Sequence, residues 1–160
     1  MSSFSRRTFL LAPLALTACG FEPVYGTGGS ASALRNTILF EIPVDQDGFD
    51  MASHLEQRLG RATAPIYALG ITTDVASEGL AISGSNDIER FNLIGKSSYR
   101  LTRVNSEQAL LEGTVNTFTA YSASLQPVAT LAAQRDARRR LMIALADKIT
   151  AELLIYADQL

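Results

Sequence analysis

Residues 67–75 read Tyr-Ala-Leu-Gly-Ile-Thr-Thr-Asp-Val, the clearest strand pattern in the chain. Apolar or β-branched side chains alternate with small or polar ones, which is the two-residue period of a strand with one buried face. Residues 90–104 and 109–117 repeat the alternation, and the turn-forming residues 105–107 separate them. The three segments therefore predict a β-meander with one face against a core.

The middle strand of this meander has an interrupted apolar face. Its large apolar residues share one parity, and they are Phe91, Leu93, Tyr99 and Leu101. Gly95 and Ser97 have the same parity but offer little apolar surface. We therefore expect a bulge or a bend near Gly95 and Ser97.

One strand and two helices flank the meander. Residues 37–44 are rich in β-forming side chains and end in the turn-rich cluster 45–48, so they predict the first strand. The next segment has apolar residues at steps of three and four, Asp47 as a possible cap and Gly60 as a stop, which predicts an amphipathic helix. Its apolar positions are Phe49, Ala52, Leu55 and Leu59.

Pro127 opens the last segment, which has the same helical spacing over a longer stretch. Its recurring apolar residues are Leu141, Leu145, Ile149, Leu153 and Tyr156. The element order is therefore β-α-β-β-β-α. This order predicts an α+β fold, a two-layer sandwich of a four-stranded mixed sheet with two helices on one face.

Composition fits one compact domain and argues against a nucleic-acid binder. The 160 residues are 47% hydrophobic and 19% charged, with a net charge of -2. Removal of residues 1–18, which include Arg6 and Arg7 and no acid, leaves 12 basic against 16 acidic residues, a net charge of -4. Nucleic-acid-binding domains are usually strongly basic.

The residue types that enzymes and metal sites need are scarce. Cys19 is the only cysteine and His54 the only histidine, which excludes an internal disulfide and a Cys-based zinc site. His54 lies off the apolar stripe and is interpreted as a solvated helix residue. Asp45, Asp47 and Asp50 lack the glycine and closing glutamate of a calcium loop, so helix capping explains them better. We expect no enzymatic activity, no metal and no cofactor.

The start of the chain has the order of a secretory signal. Arg6 and Arg7 precede the apolar run 9–16, which is too short for a bilayer span of about 20 residues. The surrounding residues 5–10 resemble a twin-arginine export signal. We therefore expect residues 1–18 to be a cleaved signal peptide.

The signal ends in Leu16-Thr17-Ala18-Cys19-Gly20, which resembles the lipobox of bacterial lipoproteins. The resemblance implies cleavage before Cys19 and attachment of a diacylglyceryl group and a further acyl chain such as palmitate. Gly20, in place of the aspartate that favours inner-membrane retention, implies the outer membrane. We expect residues 19–35 to form the lipidated N-terminus and a flexible linker, and residues 36–160 to form a single domain.

Residues 19–26 read Cys-Gly-Phe-Glu-Pro-Val-Tyr-Gly and resemble the mature start of the lipopolysaccharide-assembly lipoprotein family (LptE), Cys-Gly-Phe-x-Pro-x-Tyr. The element order, the size and residues 130–138 also resemble that family. The twin-arginine-like signal departs from it, since many members use the general secretory route, so the export pathway stays open. The resemblance implies a non-enzymatic plug and assembly factor of a large LptD-type β-barrel. Such a protein faces the periplasm or the barrel lumen and contacts lipopolysaccharide on its way to the cell surface.

Lipopolysaccharide is anionic, so cations are the candidate contacts. Lys96 and Arg100 have the parity opposite to Tyr99, which predicts that they lie on the outer face of the sheet. Arg100 is the first candidate, and Lys96 and Arg103 are lesser ones. Arg103 has the parity of the core residues, which makes it the weaker of these two. The run 138–140 has three consecutive arginines, which splay around a helix, so they cannot all serve one site and can instead pair with acids.

A different lipoprotein function remains open from the sequence. An outer-membrane-anchored binding or scaffolding module for peptidoglycan or another envelope protein would need the same signal and a similar sandwich. Co-purification with a large β-barrel distinguishes the two functions.

Overall fold

The structure is a computed structural model that describes residues 30–80, 90–123 and 126–160. The elements are α1 (Ser30–Leu34), β1 (Ile38–Glu41), α2 (Gln46–Leu59), β2 (Tyr67–Leu80), β3 (Arg90–Arg103), β4 (Ala109–Ser122), α3 (Pro127–Tyr156) and a final 3-10 turn (Ala157–Gln159). The predicted order β-α-β-β-β-α is confirmed, with α1 and the 3-10 turn added at its ends. The predicted signal peptide, Cys19 and the LptE-like octapeptide lie outside the described residues.

The four strands form one mixed sheet in the order β1-β2-β3-β4. β1 runs parallel to β2, because α2 carries the chain back across the sheet between them. β2, β3 and β4 are antiparallel neighbours, as the meander predicts. Asn105, at a φ of 66°, lies in the predicted turn between β3 and β4. The predicted α+β class is confirmed.

The bulge expected near Gly95 and Ser97 is wrong. Pairing with β2 and β4 is continuous there, and the register shifts only between Leu101 and Thr102. Gly95 is buried against α3, where an added Cβ would lie 2.9 Å from Leu145 Cδ1. Ser97 Oγ is 2.7 Å from Thr73 Oγ1 on the neighbouring strand. Gly95 therefore makes room for α3, Ser97 shares a hydrogen bond with Thr73, and β3 has no bulge at either residue.

α2 packs through a stripe that differs at two positions from the predicted one, with Gly48 and Met51 buried in place of Phe49 and Ala52. Met51, Leu55 and Leu59 are buried, but Phe49 is 67% exposed. The helix also begins earlier than predicted, because Asp45 and not Asp47 is its cap and accepts the Gly48 N–H at 2.7 Å. The stop at residue 60 is confirmed, where glycine adopts a φ of 78°.

α3 is the main partner of the sheet. It begins at Pro127, and the predicted residues from Leu141 to Leu153 are fully buried in the single core cluster. Tyr156 is 41% exposed, so its predicted core position is wrong. Within the described segments no helix combines the length and the apolar character needed to cross a membrane.

The described part of the expected linker is folded. Residues 30–34 form α1, and Leu34 is 1% exposed within the core. The hydroxyl of Thr37 donates to the carbonyl of Leu34 at 2.8 Å and closes this turn. The packed domain therefore includes α1 and begins before residue 36, since burial of Leu34 fixes the short helix in place.

Candidate functional site

α2 and α3 leave the outer face of the sheet uncovered, and no other described element lies over it. Side chains of β3 alternate between the two faces: Tyr99 and Leu101 are 4% and 0% exposed, whereas Lys96 and Arg100 are exposed. The predicted placement of Lys96 and Arg100 on the outer face is confirmed. Their role in ligand contact stays a prediction.

Lys96 lies at the centre of this face. Its cross-strand neighbours are Asp74 on β2 and Asn116 on β4. No carboxylate oxygen of the described residues lies within 4.0 Å of its ammonium group, so Lys96 has no ion pair there. A flexible, unpaired ammonium group can approach an anion without first losing a protein partner.

Arg100 lies four residues from Lys96 on the same face of β3, and it has an ion-pair partner. Its Nη2 is 3.2 Å from Glu112 Oε2 on β4, and both side chains are more than half exposed. Exposed pairs of this kind contribute about 0–1 kcal/mol, so a ligand can displace the carboxylate at little cost. Lys96 is nevertheless the better candidate for a first anionic contact, which reverses the ranking expected from the sequence.

Arg103 does not join the other two cations. It has the parity of the core face, and its Nη2 donates to the carbonyl oxygen of Leu160 at 3.3 Å. The guanidinium thus holds the end of the chain against β3. The structure brings together two of the three predicted cations and separates the third.

An apolar patch next to Lys96 was missed by the sequence prediction. Ile94 and Phe118 face each other across β3 and β4, and Phe118 is 68% exposed. They line a shallow depression of about 290 Å³ with Asn92, Asn116 and Thr117. The predicted end of β4 at residue 117 left Phe118 out, although continued alternation would have placed it. A cation beside an exposed aromatic suits an amphiphilic anion.

The outer face as a whole is not cationic. Residues of outer parity include the acids Glu41, Asp74, Glu78 and Glu112 and the bases Arg90, Lys96 and Arg100. A larger concavity of about 700 Å³ has Glu41 and Glu112 around Arg100. Lys96 lies beside the exposed apolar pair Ile94 and Phe118, so contact with an amphiphilic anion is expected there.

The arginine run of α3 is occupied by acids, as its spacing suggested. Arg138 pairs with Asp47 of α2 at 2.7 Å, and Arg139 and Arg140 each pair with Asp136 at 2.9 Å. Hydrogen bonds from Arg140 and then Arg139 lower the pKa of Asp136 below its usual value. These arginines fix the surface of α3 and its contact with α2.

His54 is not the solvated residue that was expected. Its Nε2 lies 2.9 Å from Asp147 Oδ1, and the imidazole is only 20% exposed. Arg58 Nε approaches the same carboxylate at 3.4 Å, so α2 and α3 are joined by a small charged cluster. Nowhere in the described segments do three His, Cys, Asp or Glu side chains come close enough to hold a metal ion.

Solved structures share this fold, although no family model and no curated protein matches the chain. A candidate lipoprotein from Caulobacter crescentus is 24% identical, with a TM-score of 0.69 over 83% of this chain and 97% of its own. Rare lipoprotein B from Shewanella oneidensis is 11% identical, with a TM-score of 0.58 over 74% of this chain and 93% of its own. A minor lipoprotein from Acinetobacter baumannii is 17% identical, with a TM-score of 0.57 over 75% of this chain and 91% of its own. The chain therefore has the fold of these solved lipoproteins.

Proposed function

We propose that this protein is an outer-membrane lipoprotein that plugs an LptD-type β-barrel, supports its assembly and takes part in lipopolysaccharide transport to the cell surface. The observation that carries the proposal is the LptE-like octapeptide from Cys19 to Gly26, placed directly after a lipobox. The fold shared with rare lipoprotein B supports it. Lipid on Cys19 would hold the domain at the membrane that contains the barrel.

The uncovered sheet face suits a water-filled barrel lumen. A row of hydroxyl side chains crosses it at Thr72, Ser98 and Thr114. The hydroxyls of Ser98 and Thr114 lie 3.2 Å apart and remain exposed. Short polar side chains on a rigid sheet can exchange hydrogen bonds with the polar wall of a barrel without exposing the core.

Contact with lipopolysaccharide is assigned to Lys96 and the adjacent pair Ile94 and Phe118. A phosphate or carboxylate of the ligand would meet the ammonium group, and its apolar part would lie on Phe118. Arg100 would add a second cation after release of Glu112. This finer assignment is part of the proposal and is tested separately below.

Site-specific photo-crosslinking in cells tests the barrel complex. Probes are placed at Ser98 on the sheet and at Gln57 on the exposed side of α2, which point away from each other. A plug surrounded by a barrel wall gives adducts with one large barrel protein from both positions. Adducts from a single position, or none with a barrel, contradict the plug and favour a scaffolding lipoprotein.

The variant Cys19→Ser tests the anchor in the same cells. Without the thiol no thioether-linked lipid can form, so the chain is expected to remain uncut or to become soluble. Intact-mass measurement of the membrane fraction should find the parent chain beginning at an acylated Cys19. An unmodified cysteine at the N-terminus would contradict the anchor.

A further inference from the structure

The N-terminal segment of the chain joins the domain at one end, where α1 lies. α1 packs against the 3-10 turn that follows α3. Thr37, just after α1, accepts the N–H of Ile66 at 2.8 Å, and Val104 N–H donates to the carbonyl of Ile66 at 2.9 Å. We call this end, formed by α1, the start of β2, the end of β3 and the C-terminal turn, the entry end.

The entry end has an apolar rim. Ile155 is 69% exposed, Ile66 is 50% exposed and Tyr156 is 41% exposed. On the outer face, Leu39 and Leu110 are 44% and 36% exposed in the strand rows nearest this end. Exposed apolar residues are ordinary, and other parts of the domain expose Val44, Phe49 and Val128. The rim at the entry end differs from them in lying beside the point where the chain arrives from Cys19.

Arg35 adds a cation to this rim. It follows α1 directly and is exposed, and it has no ion pair within 4.0 Å among the described residues. A guanidinium group binds phosphate oxygens in a fork, and a tyrosine side chain suits the boundary between water and acyl chains. Arg35 and Tyr156 thus have the chemistry of a phospholipid headgroup contact.

The length of the chain before α1 fixes which end can reach the membrane. Eleven Cα–Cα steps lead from Cys19 to Ser30. Fully extended, they span at most about 36–40 Å. α3 has 30 residues and runs from the far end of the domain to the entry end, a length of about 45 Å. An inverted domain would place Ser30 farther from the leaflet than the chain can reach.

We propose that the entry end docks on the phospholipid surface that holds the protein's own lipid anchor. This inference rests on the proposed lipidation of Cys19. Ile66, Ile155 and Tyr156 enter the interface, and Arg35 faces the headgroup phosphates. A short anchor with apolar side chains beside it would orient the domain as well as retain it at the membrane. Docking of this kind needs a bilayer but no barrel, so it can be tested with the barrel-free protein.

Single tryptophan variants test the orientation, because the chain contains no tryptophan. Tyr156→Trp marks the entry end, and Val128→Trp marks the far end of the same helix, where the native residue is 82% exposed. The acylated full chain is reconstituted in phosphatidylcholine vesicles with and without brominated acyl chains. Trp emission at position 156 should shift to shorter wavelength and lose most of its intensity with the brominated lipid. Emission at position 128 should do neither.

Three other results would overturn the inference. Chain that stays in the supernatant when the vesicles are sedimented overturns the anchor and the docking together. Sedimented chain with an unquenched tryptophan at position 156 leaves the anchor intact and shows that this end meets water or a protein partner. Equal quenching at positions 156 and 128 shows that the domain has no preferred end.

A rim variant separates the apolar side chains from the tether. Ile66→Ser with Ile155→Ser, in the Tyr156→Trp chain, should reduce quenching while sedimentation is unchanged. The matched control, Phe49→Ser with Val128→Ser, lies away from the entry end and should leave quenching at position 156 as it was. Circular dichroism of both variants checks that the fold is retained. Undiminished quenching in the rim variant contradicts the proposed contact.

Discussion

Along β3, successive residues alternate between a buried inner face and an exposed outer face. On the inner face Leu93, Ser97 and Leu101 are at most 1% exposed, because α3 and the core around it cover them. On the outer face Lys96 and Arg100 are exposed, and no described element covers them. The backbone and the residue spacing are the same on both faces. The covering helices therefore decide where substitutions change stability and where they change recognition.

Polar groups buried on the inner face have hydrogen-bond partners. Ser97 is 0% exposed and is hydrogen-bonded to Thr73 at 2.7 Å, and the buried Tyr99 donates its hydroxyl proton to Glu152. No buried side-chain N or O atom of the described residues lacks a hydrogen-bond partner. The outer face pairs Arg100 with Glu112 in solvent, where the pair is worth little.

The largest expected effect comes from removing a core side chain. Leu101→Ala leaves a cavity at a site that is 0% exposed, and should lower the free energy of unfolding by about 2–5 kcal/mol. Its neighbour Arg100→Ala, on the outer face, should change it by less than about 1 kcal/mol. Urea unfolding of both variants measures the difference. Similar losses would contradict the contrast between the two faces.

Adding volume to the inner face should be the next most costly change. In Gly95→Val the new Cβ would lie 2.9 Å from Leu145 Cδ1 and 3.0 Å from Leu141 Cδ2. Overpacking of this kind costs about 1–3 kcal/mol. Ser98→Val is the matched control, since it adds valine to the outer face of the same strand and should stay within about 0.5 kcal/mol. A Gly95→Val protein as stable as this control would mean that α3 does not pack there.

Tyr99→Phe should have a smaller cost that depends on pH. Burial, and next the hydrogen bond to Glu152, raise the pKa of Tyr99 well above its ordinary value of 10.0. A raised pKa means that the folded state holds the phenol proton more tightly, so this stabilisation is complete below pH 10.0 and is lost as the pH rises above it. Loss of the hydrogen bond should cost about 0.5–1.5 kcal/mol at neutral pH.

The pH series supplies the decisive readout for Tyr99. Unfolding free energies are compared between neutral pH and about pH 11. The parent protein should lose stability above pH 10.0 more steeply than Tyr99→Phe. Parallel curves would mean that the phenol titrates equally easily in the folded and unfolded chains.

Local periodicity was enough to predict β3, because each residue's face follows from its parity. It placed Tyr99 inside and Lys96 outside correctly. It could not show that Arg100 meets Glu112, since that contact depends on the register shift near Leu101. Periodicity alone also could not explain Gly95. A residue without a side chain is required there only because α3 lies over it.

Contacts between segments far apart in the sequence also could not be predicted. His54 and Asp147 are separated by 93 residues, and nothing near His54 in the sequence marks its partner. The cap of α2 was displaced by two residues for a related reason. Asp45 and Asp47 are both suitable by type, but Asp47 is engaged by Arg138 of α3. Tertiary pairing decided between two carboxylates that look equivalent locally.

The smallest effect on stability should come with a clear effect on recognition. Lys96→Glu combined with Arg100→Glu reverses the charge beside Phe118 and should weaken lipopolysaccharide binding severalfold at low salt. Each exposed cation contributes about 0.2–1 kcal/mol, and salt should reduce the difference. The fold should remain, with a change in unfolding free energy of about 1 kcal/mol or less.

A remote pair of substitutions controls for net charge. Arg61→Glu with Lys148→Glu makes the same change in total charge at exposed positions on and beside the helical layer. Binding should then stay close to that of the parent. If both double variants bind lipopolysaccharide equally well, or equally poorly, the Lys96 region is not the contact surface.

The proposed plug function is tested by depleting the protein from cells and measuring the lipopolysaccharide that reaches the cell surface. If the protein is the plug and assembly factor of the barrel, depletion should reduce both the folded LptD-type barrel and the lipopolysaccharide that reaches the surface. Re-expression of the parent chain should restore both, and Cys19→Ser should restore neither. Unchanged surface lipopolysaccharide and a normally folded barrel after complete depletion would contradict the account.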